Sequence, residues 1–269
     1  MPLTDLIRYF NTADSNSGSM LYPEGERAAA WCNGLRLGSL FQPIVHLREE
    51  CIVGHQATLS AVRDDGQPIG SDEAYALCAD AAAVVHFDRL CRTLHALNFL
   101  AQRRHAGGYL QVSVHPRHIL AVPSQHGLVY EAILKRCGLG PEDIVFAIDL
   151  PSPVADGYTT ALENFRRRGY RLALRAAMAD DGVAALLAWQ PEIVRLPDGS
   201  AESAALARAA GIASEVSGIE NGHDLNEARA AGIDLASGSL FGSPQPDCRP
   251  THSKRGVAYN SLSPTGVSP

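Results

Sequence analysis

Short apolar runs alternate with longer stretches rich in Ala, Leu and Arg along this chain, and that rhythm narrows the folds open to it. The strand-like runs cover residues 40–47, 109–114, 144–150, 170–174, 193–196 and 212–216. Helix-like stretches lie between them, at 71–84, 87–104, 128–137, 158–168, 182–189, 201–210 and 223–231. Strands that alternate with helices build a parallel sheet, because each crossover helix returns the chain to the same end. This many units in one chain predict an α/β barrel closed on itself rather than an open sheet. With 269 residues, 46% of them hydrophobic, one sizeable core can be buried.

Before the first unit, Leu6-Ile7-Arg8-Tyr9-Phe10 reads as a short amphipathic piece and the polar run from Thr12 to Ser19 as a linker. Pro23-Glu24 predicts a helix start running to about Asn33-Gly34, with proline and acid in its first turn. A barrel is thus expected over 24–248, after an N-terminal extension and linker over 1–23. Beyond Pro246 the composition turns to polar residues with Pro, Ser and Gly, so 249–269 reads as a disordered tail. A net charge of -6 argues against an electrostatic nucleic-acid binder. Six scattered cysteines without a C-x-x-C pair read as reduced thiols. No apolar run approaches the roughly 20 residues of a membrane span. No basic start followed by a hydrophobic stretch marks a secretory signal. The expectation is a soluble cytoplasmic protein with no membrane partner.

Two groups of segments carry the functional reading. Near the front stand Phe41-Gln42-Pro43-Ile44-Val45 and Gly54-His55-Gln56-Ala57-Thr58-Leu59. Near the end stand Ser217-Gly218-Ile219-Glu220-Asn221 and Ser237-Gly238-Ser239-Leu240-Phe241-Gly242-Ser243-Pro244-Gln245-Pro246. In that order and spacing they resemble the EAL domain, the cyclic-di-GMP phosphodiesterase module of bacterial signalling, over about residues 24–246. The resemblance implies an EAL-type (β/α)8 TIM-like barrel. It also implies a site at the C-terminal strand ends where carboxylates and an amide hold two divalent cations, magnesium or manganese, for phosphodiester hydrolysis.

Carried over position by position, the resemblance finds most of that chemistry replaced. The motif glutamate falls on Gln56, which keeps the size and loses the charge. The motif leucine and the phosphate-contacting arginine fall on Thr58 and Ser60, and the metal-binding asparagine on Ser113. The family's Glu-Ile-Thr-Glu reads Ala147-Ile148-Asp149-Leu150, and its paired aspartates fall on Arg175 and Ala176. The catalytic lysine falls on Arg195 and the aspartate after it on Pro197. Of the last two glutamates the first is Ser217 and the second survives as Glu220, while the glutamine before Leu-Phe-Gly is Ser237. Hard cations need oxygen donors, and one surviving carboxylate does not hold two of them. Arg175 adds positive charge where the cations would sit, and like charges at ~4 Å repel by about 4 kcal/mol at a surface-like dielectric. The expected reading is therefore a degenerate EAL domain, not an enzyme, with no metal and no cofactor.

What remains has a functional and a structural reading side by side. Gln42, Phe241 and Pro244 match ligand-contacting positions, or else keep the turns and packing of the barrel mouth. Arg175 and Arg195 pair with a ligand phosphate, or else with Glu220 or Asp149. His115-x-x-His118, with His46 and His55, offers a metal set, or else solvated or core-edge histidines. Asp180-Asp181-Gly182 is part of a calcium-loop pattern, or else a turn and cap. Cys91 and Cys137 lack an obvious base, and Arg166-Arg167-Arg168 suits the end of a helix. The function expected is a regulator acting through contact with another protein, of transcription, virulence or motility. The alternatives are a cyclic-di-GMP receptor that binds without cleavage and a residual phosphodiesterase.

Overall fold

The computed structural model describes residues 2–13, 18–102, 106–122, 124–151, 153–176, 182–197 and 199–250. Helix α1 (Leu3–Ala13) comes first, then a hairpin of β1 (Met20–Glu24) and β2 (Arg27–Cys32). Two long strands follow, β3 (Leu35–His46) and β4 (Cys51–Arg63), with the short β5 (Pro68–Ile69) after them. From there helices and strands alternate: α2 (Ser71–Ala76), α3 (Ala81–Gln102), β6 (Tyr109–Ser113), α4 (Pro116–Ala121), α5 (Leu128–Cys137) and β7 (Ile144–Leu150). The chain continues through α6 (Asp156–Arg167), β8 (Arg171–Ala176), α7 (Gly182–Leu187), β9 (Ile193–Arg195), α8 (Ala201–Ala209), β10 (Ala213–Val216), α9 (Gly222–Ala231) and β11 (Leu235–Ala236).

Strands β4, β6, β7, β8, β9, β10 and β11 lie side by side and parallel. Strand β3 closes the ring, antiparallel to β4 on one side and to β11 on the other. Its reversal follows from connection: the turn at 47–50 joins β3 directly to β4, and a tight turn can only join antiparallel strands. The result is the expected closed barrel of eight strands, one of them reversed.

Side-chain alternation sorts the strands into an inside and an outside. Ile44, Tyr109, Val145, Ala173, Ile193 and Leu235 form a small cluster that plugs the barrel interior. A larger core lies between sheet and helices and includes Phe87, Leu94, Leu97, Phe146, Phe165 and Tyr170. The glycine of Gly54-x-Gln56 is required by this packing. A Cβ there would come within 2.7 Å of the Tyr109 ring.

Two expectations about elements are corrected. Residues 23–34 are not a helix; they belong to the β1–β2 hairpin, with Glu24 paired to Arg27 across Gly25-Glu26. Gly25 takes φ +62°, the left-handed conformation such a two-residue turn demands. The Ala28-Ala29-Ala30 run suggested helix by propensity, but tertiary pairing decides it. Ala30 pairs with Leu37 of β3, and Asn98 of α3 accepts from Ala28 N at 2.7 Å and donates to its carbonyl at 2.9 Å. The stretch at 71–84 is likewise two helices. Asp80 ends the break by accepting from Ala83 N at 2.8 Å, and α3 runs on through 85–86.

At the end of the described chain Cys248 is buried, and its N–H donates to Gln102 Oε1 at 2.7 Å. Residues 251–269, most of the expected tail, and Asp180 and Asp181 lie outside the described residues. No described helix is long and apolar enough to cross a membrane.

Candidate functional site

Strand alternation also decides what the barrel mouth contains. On β6, β7, β8, β9 and β10 the same parity that sends Tyr109, Val145, Ala173, Ile193 and Ala213 inward sends Gln111, Ala147, Arg175, Arg195 and Glu215 inward one step further along. Another step brings Ser113 and Asp149 to the C-terminal strand ends. Gln56 of β4 sits level with Gln111 and with Gln42 of β3. A cavity of about 290 Å³ opens there, and its lining includes Gln56, Thr58, Ser113, Ala147, Asp149 and Arg195.

The charged groups at the mouth are paired with one another. Arg175 Nε donates to Asp149 Oδ1 at 2.9 Å, and its Nη2 bonds the other carboxylate oxygen. Arg195 reaches the same carboxylate from β9, with Nη1 3.6 Å from Asp149 Oδ1. Deeper in, Arg195 Nε lies 3.7 Å from Glu215 Oε1, which also accepts from Gln111 Nε2 at 3.1 Å. Burial pushes the Glu215 carboxyl above its ordinary value, against the pull of Arg195 and Gln111. Two arginines and two carboxylates therefore form one chain of charge across the barrel.

Of the pairings considered for the arginines, the one with Asp149 is found and the one with Glu220 is not. Glu220 is exposed at the start of α9, its N–H donating to Asp224 Oδ2 at 2.8 Å. Glu215 takes its place, a residue just ahead of the stretch matched to the family's motif. Its signal was a charge at an inward position between Ile212 and Val216, where burial forces a carboxylate to find a partner.

Other site residues expected from the sequence have contacts of their own. Gln42 Nε2 donates to the Gly242 carbonyl at 3.0 Å, and Phe241 is fully buried, whereas Pro244 is exposed. Phe41 and Gln245 exchange backbone hydrogen bonds of 2.7 and 3.1 Å, which ties the last segment to β3. Ser217 is exposed and Ser237 buried beside it; Ala176 ends β8. Gly238 permits this close crossing, since a Cβ would meet Ile219 O at 2.1 Å.

The histidines are not brought together as a metal set. His55 is buried and accepts from Arg249 N at 3.1 Å, and burial lowers its pKa to about 4. His118 is buried against Asp88 and Arg92, while His115 caps α4 and stacks on Tyr75 with ring centroids 3.9 Å apart. Among the described residues no three His, Cys, Asp or Glu side chains are placed to hold a metal ion. Burial raises the thiols of Cys91 and Cys137, the latter to about 11, so both stay protonated at neutral pH. Arg168 pairs with Glu131 at 2.8 Å, and Arg166 bonds the carbonyls of Trp189 and Gln190.

The fold and site together define an eight-stranded α/β barrel whose polar side chains converge where such barrels carry their chemistry. The EAL domain family matches residues 32–244, and the chain belongs to that family, one of cyclic-di-GMP signalling. Similar solved structures include a standalone versatile EAL protein from Vibrio cholerae O395 in its c-di-GMP-bound form. It is 20% identical with a TM-score of 0.64, over 78% of this chain and 92% of that one. BlrP1 of Klebsiella pneumoniae, in a calcium/cy-diGMP complex, is 16% identical with a TM-score of 0.68, over 92% of this chain and 68% of that one. At these identities the likeness is one of fold. No curated protein matches the chain.

Family membership raises the question of the divalent cations. The inward positions offer the amides of Gln56 and Gln111, a serine hydroxyl, an alanine, two guanidiniums and two carboxylates, of which Asp149 is held by both arginines and Glu215 is buried against Arg195 and Gln111. That donor set does not fit two divalent cations.

Proposed function

We propose that this protein is a non-catalytic EAL-domain regulator that acts by contact with another protein, as an adaptor or repressor of a transcriptional, virulence or motility regulator. The observation that supports the reading is the Arg175–Asp149–Arg195 arrangement at the barrel mouth. Hydrolysis by the family's route needs cations to activate water and to offset charge on the phosphate. Guanidiniums can offset that charge but cannot generate the hydroxide. The test is incubation with cyclic-di-GMP and magnesium or manganese: no linear pGpG is expected, and its metal-dependent appearance overturns the inactivity. Affinity capture from the protein's own cells is expected to recover one regulator in stoichiometric amount. Recovery of no regulator removes the adaptor reading.

A second reading, a receptor that binds cyclic-di-GMP without cleaving it, is favoured by the cavity at the mouth and by Arg195 in its lining. Calorimetric titration separates the two. Heat saturating at a fixed stoichiometry supports a receptor, and none at high micromolar ligand leaves a barrel used for its surface alone.

A further inference from the structure

A second and larger cavity lies on the other side of α3. Cys91 and His95 of α3 line the cavity at the barrel mouth, and the opposite stripe of that helix, Ala82, Val85, His86 and Arg89, lines an opening of about 670 Å³ toward α1 and α5. Its volume falls within the range of about 300–1,000 Å³ typical of sites for small organic ligands. Four elements supply apolar walls. Phe10 of α1, Leu21 of β1 and Leu90 of α3 are buried against it, and Val129 and Ile133 of α5 stand on the facing side. The polar side chains within it are engaged by the protein itself. Asn11 Nδ2 donates to the Leu21 carbonyl at 2.7 Å, and its Oδ1 accepts from Leu21 N at 2.9 Å. His86 Nε2 lies 2.8 Å from Ser19 Oγ, Thr93 Oγ1 donates to the Arg89 carbonyl at 2.7 Å, and the Arg89 side chain is likewise engaged. At the rim Arg136 sits over the exposed ring of Tyr9, Cζ 4.6 Å from its centroid. The described lining holds no carboxylate.

We propose that the cavity between α1, α3 and α5 binds a neutral apolar small molecule, aromatic or alkyl, against Leu21, Val85, Leu90 and Ile133. What the cavity can still gain is burial of apolar surface, because its polar groups are already satisfied. An ionised head group entering it would lose hydration and find no uncommitted partner to replace the lost water. The engagement of His86 and Arg89 thus selects against ions of either sign. The site is separate from the barrel mouth and does not rest on either reading of it.

The test is fluorescence titration of the full chain with N-phenyl-1-naphthylamine, a neutral probe that brightens in apolar surroundings. Its control is 8-anilinonaphthalene-1-sulfonate, which carries the same aromatic body and a negative charge. The neutral probe is expected to saturate at one per chain, about tenfold or more tighter than the sulfonate. Ala82→Trp and Ala132→Trp, both at exposed positions of the lining, place a ring across the opening. Each is expected to weaken the neutral probe by about tenfold with circular dichroism unchanged, whereas Leu206→Trp, exposed on α8, leaves its binding as it was. Absence of saturable binding, equal or tighter binding of the sulfonate, full binding in both cavity variants, or the same loss in Leu206→Trp overturns the proposal. Should the tryptophan variants not fold, Ala82→Leu and Ala132→Leu narrow the same opening and are read in the same way, and the comparison of the two probes on the unaltered chain still decides.

Discussion

Two Asp–Arg pairs in this barrel differ in depth, and the difference separates a pair that holds the fold from one that lies at the candidate site. Asp88 and Arg92, one turn apart on α3, pair with side chains 0% and 3% exposed. Asp149 and Arg175, on neighbouring strands, pair at the mouth with side chains 39% and 42% exposed. The buried carboxylate has further partners: Tyr75 donates to it at 2.8 Å, and His118 Nδ1 lies 3.2 Å away. Arg92 in turn lies over the rings of Tyr130 and Phe146, at 5.0 and 5.6 Å from their centroids. Burial pushes the Asp88 carboxyl up, but the Arg92 guanidinium and the hydrogen bond from Tyr75 outweigh it and hold the group below its ordinary value. The mouth pair keeps much of its hydration, so it adds little to stability. One pair is fixed by the cost of breaking it; the other is free to be exchanged by evolution or displaced by a ligand.

Acid should act on the buried region first and most strongly. Burial lowers His55 and His95 to about 4 and His118 to about 3, against an ordinary 6.5. A depressed folded-state pKa gives stability that is present above the unfolded value and lost as pH falls toward the folded one. Each pH unit of depression is about 1.4 kcal/mol, so the three histidines together should cost on the order of 5 kcal/mol by pH 5. Melting temperature against pH is expected to be level above pH 7 and to fall steeply from 6.5 to 4. A level profile through that window would mean that these rings are not buried neutral.

Asp88→Ala removes the partner of a buried guanidinium and should cost about 3–5 kcal/mol in chemical denaturation. A loss below about 1 kcal/mol would make the two pairs equivalent and erase the comparison. Asn98→Ala gives the neutral counterpart. Asn98 ties α3 to Ala28 and also donates to Ser39 Oγ at 3.2 Å, so its loss leaves buried backbone groups unsatisfied. About 1–3 kcal/mol is expected, less than for the charge.

The same contrast explains what could be read from the chain. The barrel was legible because each β/α unit repeats a local pattern, and buried parallel strands such as Ile144–Leu150 announce themselves as apolar runs. The β1–β2 hairpin was not, because Ala28-Ala29-Ala30 has no strong strand preference and becomes a strand only through β3 and Asn98. Motif comparison showed where the residues differ from the family's motif, at Ala147, Arg175 and Arg195. It could not choose among the partners open to the arginines. Asp149 was legible as one of two candidate partners for the arginines, but Glu215 was not, because its role depends on which strands the closed barrel sets beside it.

The smallest effect on stability belongs to the mouth, and there the comparison bears on function. Asp149→Asn keeps the size of the side chain and removes the charge shared by Arg175 and Arg195. Stability should change by less than about 1 kcal/mol, because a solvated pair is worth little. Binding of pyrophosphate or cyclic-di-GMP should nevertheless tighten by about tenfold over the unaltered chain, since two guanidiniums lose their internal anion and can take an external one. Titration of both proteins under the same salt measures that ratio. A ratio near one would mean that the arginines are committed elsewhere, Arg195 to Glu215 first. A large loss of stability would mean that the mouth pair is as structural as Asp88–Arg92, and that the site was rebuilt to hold the barrel rather than to hold a ligand.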